Sequence, residues 1–427
     1  MNAKVFKSRI RKIHQSLKKE SSEAALLISS APSKTKSYDT DYPYTQDKDF
    51  FYLTGSNEPD LLLLISNTSR TPLLFAPLSD KRKILWEGPQ YDLKLAVANS
   101  GAELIEYKNA ANSVYEKLRG IETLYYQNTE NSLGSKIARG IFDTPAHKRS
   151  KLPSKFQHSD NILGPMRLHK EVAEVKLIQH AIEITYSSWC MALPLVMKGT
   201  KEDLLAATIE YGFRSQDADY GFQSIVASGK NASVLHYHRM QSCLKEKDLL
   251  LFDIGASFQG YSADISRTVP VSKSFNEWQL PLYELVLKAQ KAAIKKIRHG
   301  VLIKVVHEAA ALVIIEGLVK LKLLKGKPQK LLKEKAHLPF FPHGIGHSLG
   351  LDVHDIGNHR GNNQAKLEKG MVFTVEPGIY LPKKYGKFPA CGIRIEDDVL
   401  VTANGCHVLS DFIPKEPEDI EELMHSV

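Results

Sequence analysis

The segment LLLFDIGASFQGYSADISRTVPV, residues 249–271, limits the fold of this chain more than any other stretch. Its first four residues read as a buried strand, yet Asp253 follows directly. An ionised carboxylate taken out of water is costly unless a cation, a metal or hydrogen-bond donors compensate it. A glycine-containing turn around Gln259 and Gly260 leads to a second strand that carries Asp264. A hairpin across that turn brings both carboxylates to one end of a sheet. A pair of turn or capping aspartates would satisfy the same spacing.

Further on, FFPHGIGHSLGLDVHD (340–355) sets His343, His347 and His354 among Gly344, Gly346 and Gly350. The glycines exclude the continuous helix of an HExxH zinc site and permit close backbone approach to a ligand or metal. One histidine there would be an ordinary core residue; three are harder to place in a core. Glu376 follows a strand expected at Met371–Val375 and precedes Pro377 and Gly378. In Ile393-Arg394-Ile395-Glu396, period-two alternation buries the isoleucines on one face and turns Arg394 and Glu396 to the other. Taken singly, either glutamate fits a surface salt bridge.

Together, Asp253, Asp264, His347, Glu376 and Glu396 are four carboxylates and one imidazole, each on or beside a strand in the same half of the chain. Four converging acids repel one another unless cations lie between them. An oxygen-rich set with one nitrogen suits two divalent ions, Mn²⁺ or Co²⁺ more than a thiolate-seeking metal, with Zn²⁺ and Fe²⁺ left open.

The remaining composition removes other classes. A length of 427 residues with 43% hydrophobic and 25% charged residues allows two globular domains and a sizeable core. Runs such as Leu61–Ile65 and Leu249–Phe252 fall far short of the roughly 20 residues a membrane-spanning helix needs, so no membrane partner is expected. Cys190, Cys243, Cys391 and Cys406 lack CxxC spacing, which argues against a disulfide framework and for a reducing cytoplasm. The net charge of +9 is spread along the chain, with a cluster at Lys320–Lys335 that reads as a solvated helix and loop. Without aromatic interleaving or zinc-finger spacing, no nucleic acid is expected. The basic start, Lys4–Lys19, is expected to be an ordinary first helix rather than a transit peptide, because Phe6, Ile10, Ile13 and Leu17 recur on one helical face.

Residues 1–165 mix short apolar strands, at Ala24–Ile28, Leu61–Ile65 and Leu73–Phe75, with polar turns, as in a small α/β domain. Periodicity lapses over Pro153–Pro165, and a second domain, 166–427, alternates strands with helices expected near 171–193, 201–216, 277–298 and 303–324.

The blocks DIGASFQGYSADISRT, HGIGHSLGLDVHD, TVEPGIY and GIRIEDD, in that order, resemble the pita-bread metallopeptidases, and within them aminopeptidase P. DYPYTQDKDFFYLTGSNEPD in the first domain and the tail KEPEDIEELM resemble the same enzymes, so the likeness spans nearly the whole chain. Thr45 departs from an arginine common in relatives, and Cys391 precedes the Gly-Ile-Arg-Ile-Glu segment; neither touches a ligand position. The resemblance implies an α/β N-terminal domain, serving oligomerisation and substrate-size control, followed by an α+β pita-bread catalytic domain. It implies that Asp253, Asp264, His347, Glu376 and Glu396 hold two metal ions and that His236, His343 and His354 contact substrate. Trp86, in KILWEGP, resembles a tryptophan that reaches the active site of a neighbouring subunit in a homodimer or homotetramer; a plain packing role is the alternative.

The activity so implied is hydrolysis of peptides with proline at position 2, by a metal-held water or hydroxide with Glu376 as acid and base. Tyr380 is expected as an apolar wall for the proline and Arg394 as a substrate-binding residue. A prolidase-type dipeptidase shares the metal site, and a metal-free pita-bread protein, creatinase-like or binding only, would have lost ligands that this chain keeps.

Overall fold

The computed structural model describes residues 1–78, 80–129, 131–357 and 364–426. It divides into two compact units, Met1–Met166 and Arg167–Val427.

In the first unit the basic start forms the helix Ala3–Glu20, with Asn2 accepting from the Lys4 amide as its N-cap. Phe6, Ile10, Ile13 and Leu17 are buried as one stripe, each contributing roughly 1.5–3 kcal/mol relative to exposure. Arg9 is buried with them: its guanidinium lies 3.8 Å from the Tyr52 ring centroid and Nη1 donates to the Tyr52 carbonyl at 2.8 Å. A mixed six-stranded sheet forms the body, in the order Glu103–Tyr107, Leu73–Pro77, Leu62–Ser66, Ala24–Ser29, Thr123–Tyr126, Lys155–His158. Its central strands read as apolar runs because both faces are covered, as expected of an α/β layer.

The second unit is α+β. The helix Val172–Ala192, opened by a capping box between Glu171 and Glu174, packs on Glu202–Arg214. The helices Gln279–Ile294 and Ile303–Lys320 pack on each other in the same way. Short antiparallel sheets accompany the pairs: Ile225–Ser228, Leu249–Ile254 and Ile265–Pro270 in one, Val372–Val375, Asp397–Val401 and Cys406–Val408 in another. A two-stranded ladder joins Gly378–Leu381 to Cys391–Arg394. All four cysteines are free, and no helix among the described residues is long and apolar enough to cross a membrane.

Candidate active site

The expected hairpin forms. Leu249–Ile254 pairs antiparallel with Ile265–Pro270, Asp253 lies opposite Ser266, and Asp264 precedes the return strand, so both carboxylates sit at one end. The intervening turn places Gln259 and Gly260 at positive φ, 47° and 82°.

The two glutamates meet by register. Val375 pairs with Asp397 in one ladder and Gly378 with Arg394 in the next. Carried through the junction, that register sets Glu376 opposite Glu396. The Glu376 amide donates to the Ile345 carbonyl at 2.9 Å, which ties the histidine loop to the same place. Gly346 permits this approach: a Cβ there would stand 1.8 Å from the Thr374 carbonyl oxygen. Gly350 likewise makes room for protein, since a Cβ there would meet the Asp355 and Lys170 side chains, while Gly344 and Gly346 also line the cavity.

These elements enclose a cavity of about 570 Å³ lined by Asp253, Asp264, His347, Glu376, Glu396, His236, His343, His354 and Arg394, with Phe222, Leu235 and Val353 as apolar wall. Nε2 of His347 lies 3.3 Å from Oδ2 of Asp264 and 3.7 Å from Oε1 of Glu376. Nδ1 of His347 faces the Ser348 carbonyl at 3.2 Å, which selects the tautomer whose Nε2 lone pair points at the acids.

Burial raises the pKa of Asp264, and Asp253 and Asp398 raise it further. Burial likewise raises Glu396, with Asp264 and Glu376 adding to the shift. Burial raises Glu376 too, against the opposing pull of His347 and Arg394. Oε2 of Glu396 accepts from the Ser266 hydroxyl at 2.8 Å, while its Oε1 is buried with no hydrogen-bond partner. Among the described residues, Asp264, His347 and Glu396 offer ligand atoms within 4.8 Å of one another. A buried acceptor without a donor, facing other acceptors, is the arrangement a divalent cation satisfies, so the residues fit the metal ions that the donor set implies.

Arg394 is the resident cation. Its Nη2 donates to Oδ2 of Asp253, its Nε to the Ser266 hydroxyl at 2.8 Å and its Nη1 to the Tyr380 hydroxyl at 2.9 Å. Tyr380 in turn donates to Nε2 of His343 at 2.9 Å, and Nδ1 of His343 donates to the Gly344 carbonyl at 2.8 Å. Burial, then Arg394, pushes the His343 pKa down to about 3, so the ring is neutral. Tyr380, 3% exposed, holds its hydroxyl between His343 and Arg394 as a hydrogen-bonded post. The His347 and His354 rings meet edge to face at 4.2 Å.

Trp86 belongs to the first unit, on the helix Lys81–Glu87, where it is 74% exposed. Sequence reasoning passed over Ser266, which bonds both Arg394 and Glu396, and His238, which lines the cavity beside His236. The signal was present: Ser266 is a polar residue at an alternating strand position, and His238 repeats His236 at the same period.

Residues 176–403 match the model of metallopeptidase family M24, and residues 6–125 match the aminopeptidase P N-terminal domain. The chain belongs to metallopeptidase family M24 and is a metallo-exopeptidase. Within that family its likeness is to aminopeptidase P. It is 33% identical over 415 residues to the Xaa-Pro aminopeptidase of Escherichia coli K12, covering 94% of this chain and 93% of that one. A structure of E. coli aminopeptidase P with the inhibitor Pro-Leu superposes with a TM-score of 0.92 at 32% identity, covering 100% and 99% of the two chains. Pseudomonas aeruginosa aminopeptidase PepP gives 0.93 at 34% identity, covering 100% and 98%.

Proposed function

We infer that the chain removes the first residue from peptides whose second residue is proline, with two divalent ions held by Asp253, Asp264, His347, Glu376 and Glu396. The observation that carries this reading is the convergence of those side chains with His236, His343 and His354 on one cavity, in a chain whose relatives are named Xaa-Pro aminopeptidases. Mn²⁺ is the ion proposed, on the hard, oxygen-rich donor set, with Co²⁺, Zn²⁺ and Fe²⁺ as alternatives. A zinc-substituted E. coli aminopeptidase P in complex with product is among the similar structures. When bound, such ions lower the pKa of a coordinated water toward about 7 and polarise the scissile carbonyl.

Glu376 takes the proton of the attacking water and delivers it to the leaving proline nitrogen. His236 and His354 donate to the carbonyl oxygen as it gains negative charge. His343 has both nitrogens engaged, so it offers its ring to the proline, whose missing N–H needs no acceptor. Arg394 acts through Asp253 and Tyr380. Trp86 reaches substrate from a neighbouring subunit of a homodimer or homotetramer; Leu85 and Trp86, 83% and 74% exposed, support that reading. The four free cysteines support a reducing, cytoplasmic setting.

The test is turnover of an Xaa-Pro dipeptide against an Xaa-Pro-Yaa tripeptide by protein stripped with chelator and reloaded with Mn²⁺. Tripeptide cleavage restored by the metal is the expected result. Activity confined to the dipeptide reverses the reading toward a prolidase-type enzyme, and absence of both metal and turnover toward a binding protein.

A further inference from the structure

Glu202 is a carboxylate outside the cavity, with no measurable solvent exposure. It opens the helix Glu202–Arg214, where an acid is ordinary helix chemistry and an exposed one would need no further account. Here the side chain turns inward and accepts five hydrogen bonds. Oε1 takes the Ser228 amide and hydroxyl, both at 2.7 Å, and Nδ2 of Asn231 at 3.0 Å. Oε2 takes the Tyr237 hydroxyl at 2.9 Å and the Ser242 amide at 3.1 Å. Every donor is neutral, and hydrogen bonds to a carboxylate of this kind are about twice as strong as those between neutral groups.

The five donors come from one stretch, residues 228–242, which passes the cavity between its first and last anchor. At its middle, Tyr237 is turned back to Glu202, while His236 and His238 on either side line the cavity with rings 6.3 Å apart. Tyr237 and the two histidines thus leave the chain on opposite sides, so anchoring Tyr237 aims the two histidines. The far end is held by backbone: the amides of Glu202 and Asp203 donate to the carbonyls of Ser242 and Met240, both at 3.1 Å. The near end rests on the Arg394 strand, where a Cβ at Gly392 would stand 1.8 Å from the Ala232 carbonyl oxygen.

We propose that Glu202 is a positioning residue for His236, fixing through Tyr237 and Ser242 where that imidazole meets the substrate carbonyl. The proposal rests on the role given to His236 above. Glutamine at this position cannot accept at its amide nitrogen, so the backbone amide of Ser242 or of Ser228 loses its acceptor and the loop shifts. A displacement of about 1 Å in a catalytic group costs up to about 100-fold in rate.

The experiment is steady-state kinetics of the Mn²⁺-loaded full chain on an Xaa-Pro-Yaa tripeptide, for Glu202→Gln, His236→Ala and the double variant. Metal content and thermal unfolding are measured alongside. Glu202→Gln is expected to lower kcat by about 10–100-fold with bound metal unchanged, and to cost nothing further once His236 is alanine. Tyr237→Phe, which removes one hydrogen bond from the same carboxylate, should give a smaller loss that also vanishes in the His236→Ala background, and it stands in if Glu202→Gln does not fold. Additive losses in the double variant, or wild-type kcat in Glu202→Gln, overturn the positioning role. If His236→Ala alone is as active as wild type, the role of His236 fails first and the proposal falls with it.

Discussion

The hydroxyl of Tyr380 lies 2.9 Å from Nε2 of His343 and 2.9 Å from Nη1 of Arg394. The guanidinium can only donate, so the phenol accepts from Arg394 and gives its own proton to His343. One hydroxyl therefore sets the tautomer of the imidazole facing the cavity and the orientation of the cation beside Asp253. Tyr380→Phe leaves both partners unpaired in a buried site. It is expected to lower stability by about 1–3 kcal/mol and kcat/KM by about 10-fold. Thermal unfolding and tripeptide kinetics check this, and wild-type values for both would show that the hydroxyl does not hold the site.

Glu376→Gln keeps the shape of the side chain and removes its capacity to carry a proton between water and leaving nitrogen. The expected loss in kcat is about 100- to 10,000-fold. The result counts against Glu376 as acid and base if turnover stays high in protein whose metal content equals that of wild type.

Metal removal should be visible without any substrate. The acids at the cavity raise one another's pKa, so Mn²⁺ at about 100 times its dissociation constant is expected to stabilise the chelated protein by about 2.7 kcal/mol. Glu396→Gln removes one of the mutually repelling acids. Its chelated form should unfold at or above the temperature of chelated wild type, and its gain from Mn²⁺ should be smaller. Calorimetry with and without chelator decides between this and an ion-independent carboxylate cluster.

Asp355, beside His354, is buried between Lys170 Nζ at 2.9 Å and the Arg167 guanidinium. Burial by itself would raise its pKa, but Lys170 and Arg167 outweigh it and hold the carboxyl below its ordinary value. A depressed folded-state pKa gives stability that is fully present above the unfolded pKa, about 3.9, and is lost as pH falls through the folded value. Asp355→Asn removes the charge paired with the buried Lys170 ammonium, while Arg167 keeps Asp352 at 2.8 Å, and is expected to cost about 3–5 kcal/mol at pH 7. The gap between variant and wild type should close as pH drops below about 4; a gap that is flat with pH would contradict the assignment.

Much of this was legible because a charge inside an apolar strand is a local anomaly. Asp253 after Leu249–Phe252 and Glu396 after Ile395 both stand out against their neighbours, and the structure places both on the cavity. Amphipathic period gave the long helices: 303–324 was expected and Ile303–Lys320 is found. The hydrogen bonds of Tyr380 were not legible, because an aromatic beside Pro377-Gly378 reads as wall, and only the fold shows its hydroxyl between two polar groups. Glu202 was invisible because an acid in the first turn of a helix is common. Gly346 and Gly350 signalled a close approach, but that one meets the Thr374 carbonyl and the other the Asp355 side chain is a long-range fact that spacing does not encode.

The shared register at Glu376 and Glu396 has a consequence for how the chain can change. Residues 382–390 connect the two strands, and loops of this kind absorb insertions at little thermodynamic cost. A single residue added or lost between either glutamate and its paired strand would instead turn every following side chain to the opposite face. The connection can lengthen freely, while either flanking strand can gain or lose residues only if its partner changes by the same number, or the two glutamates part company.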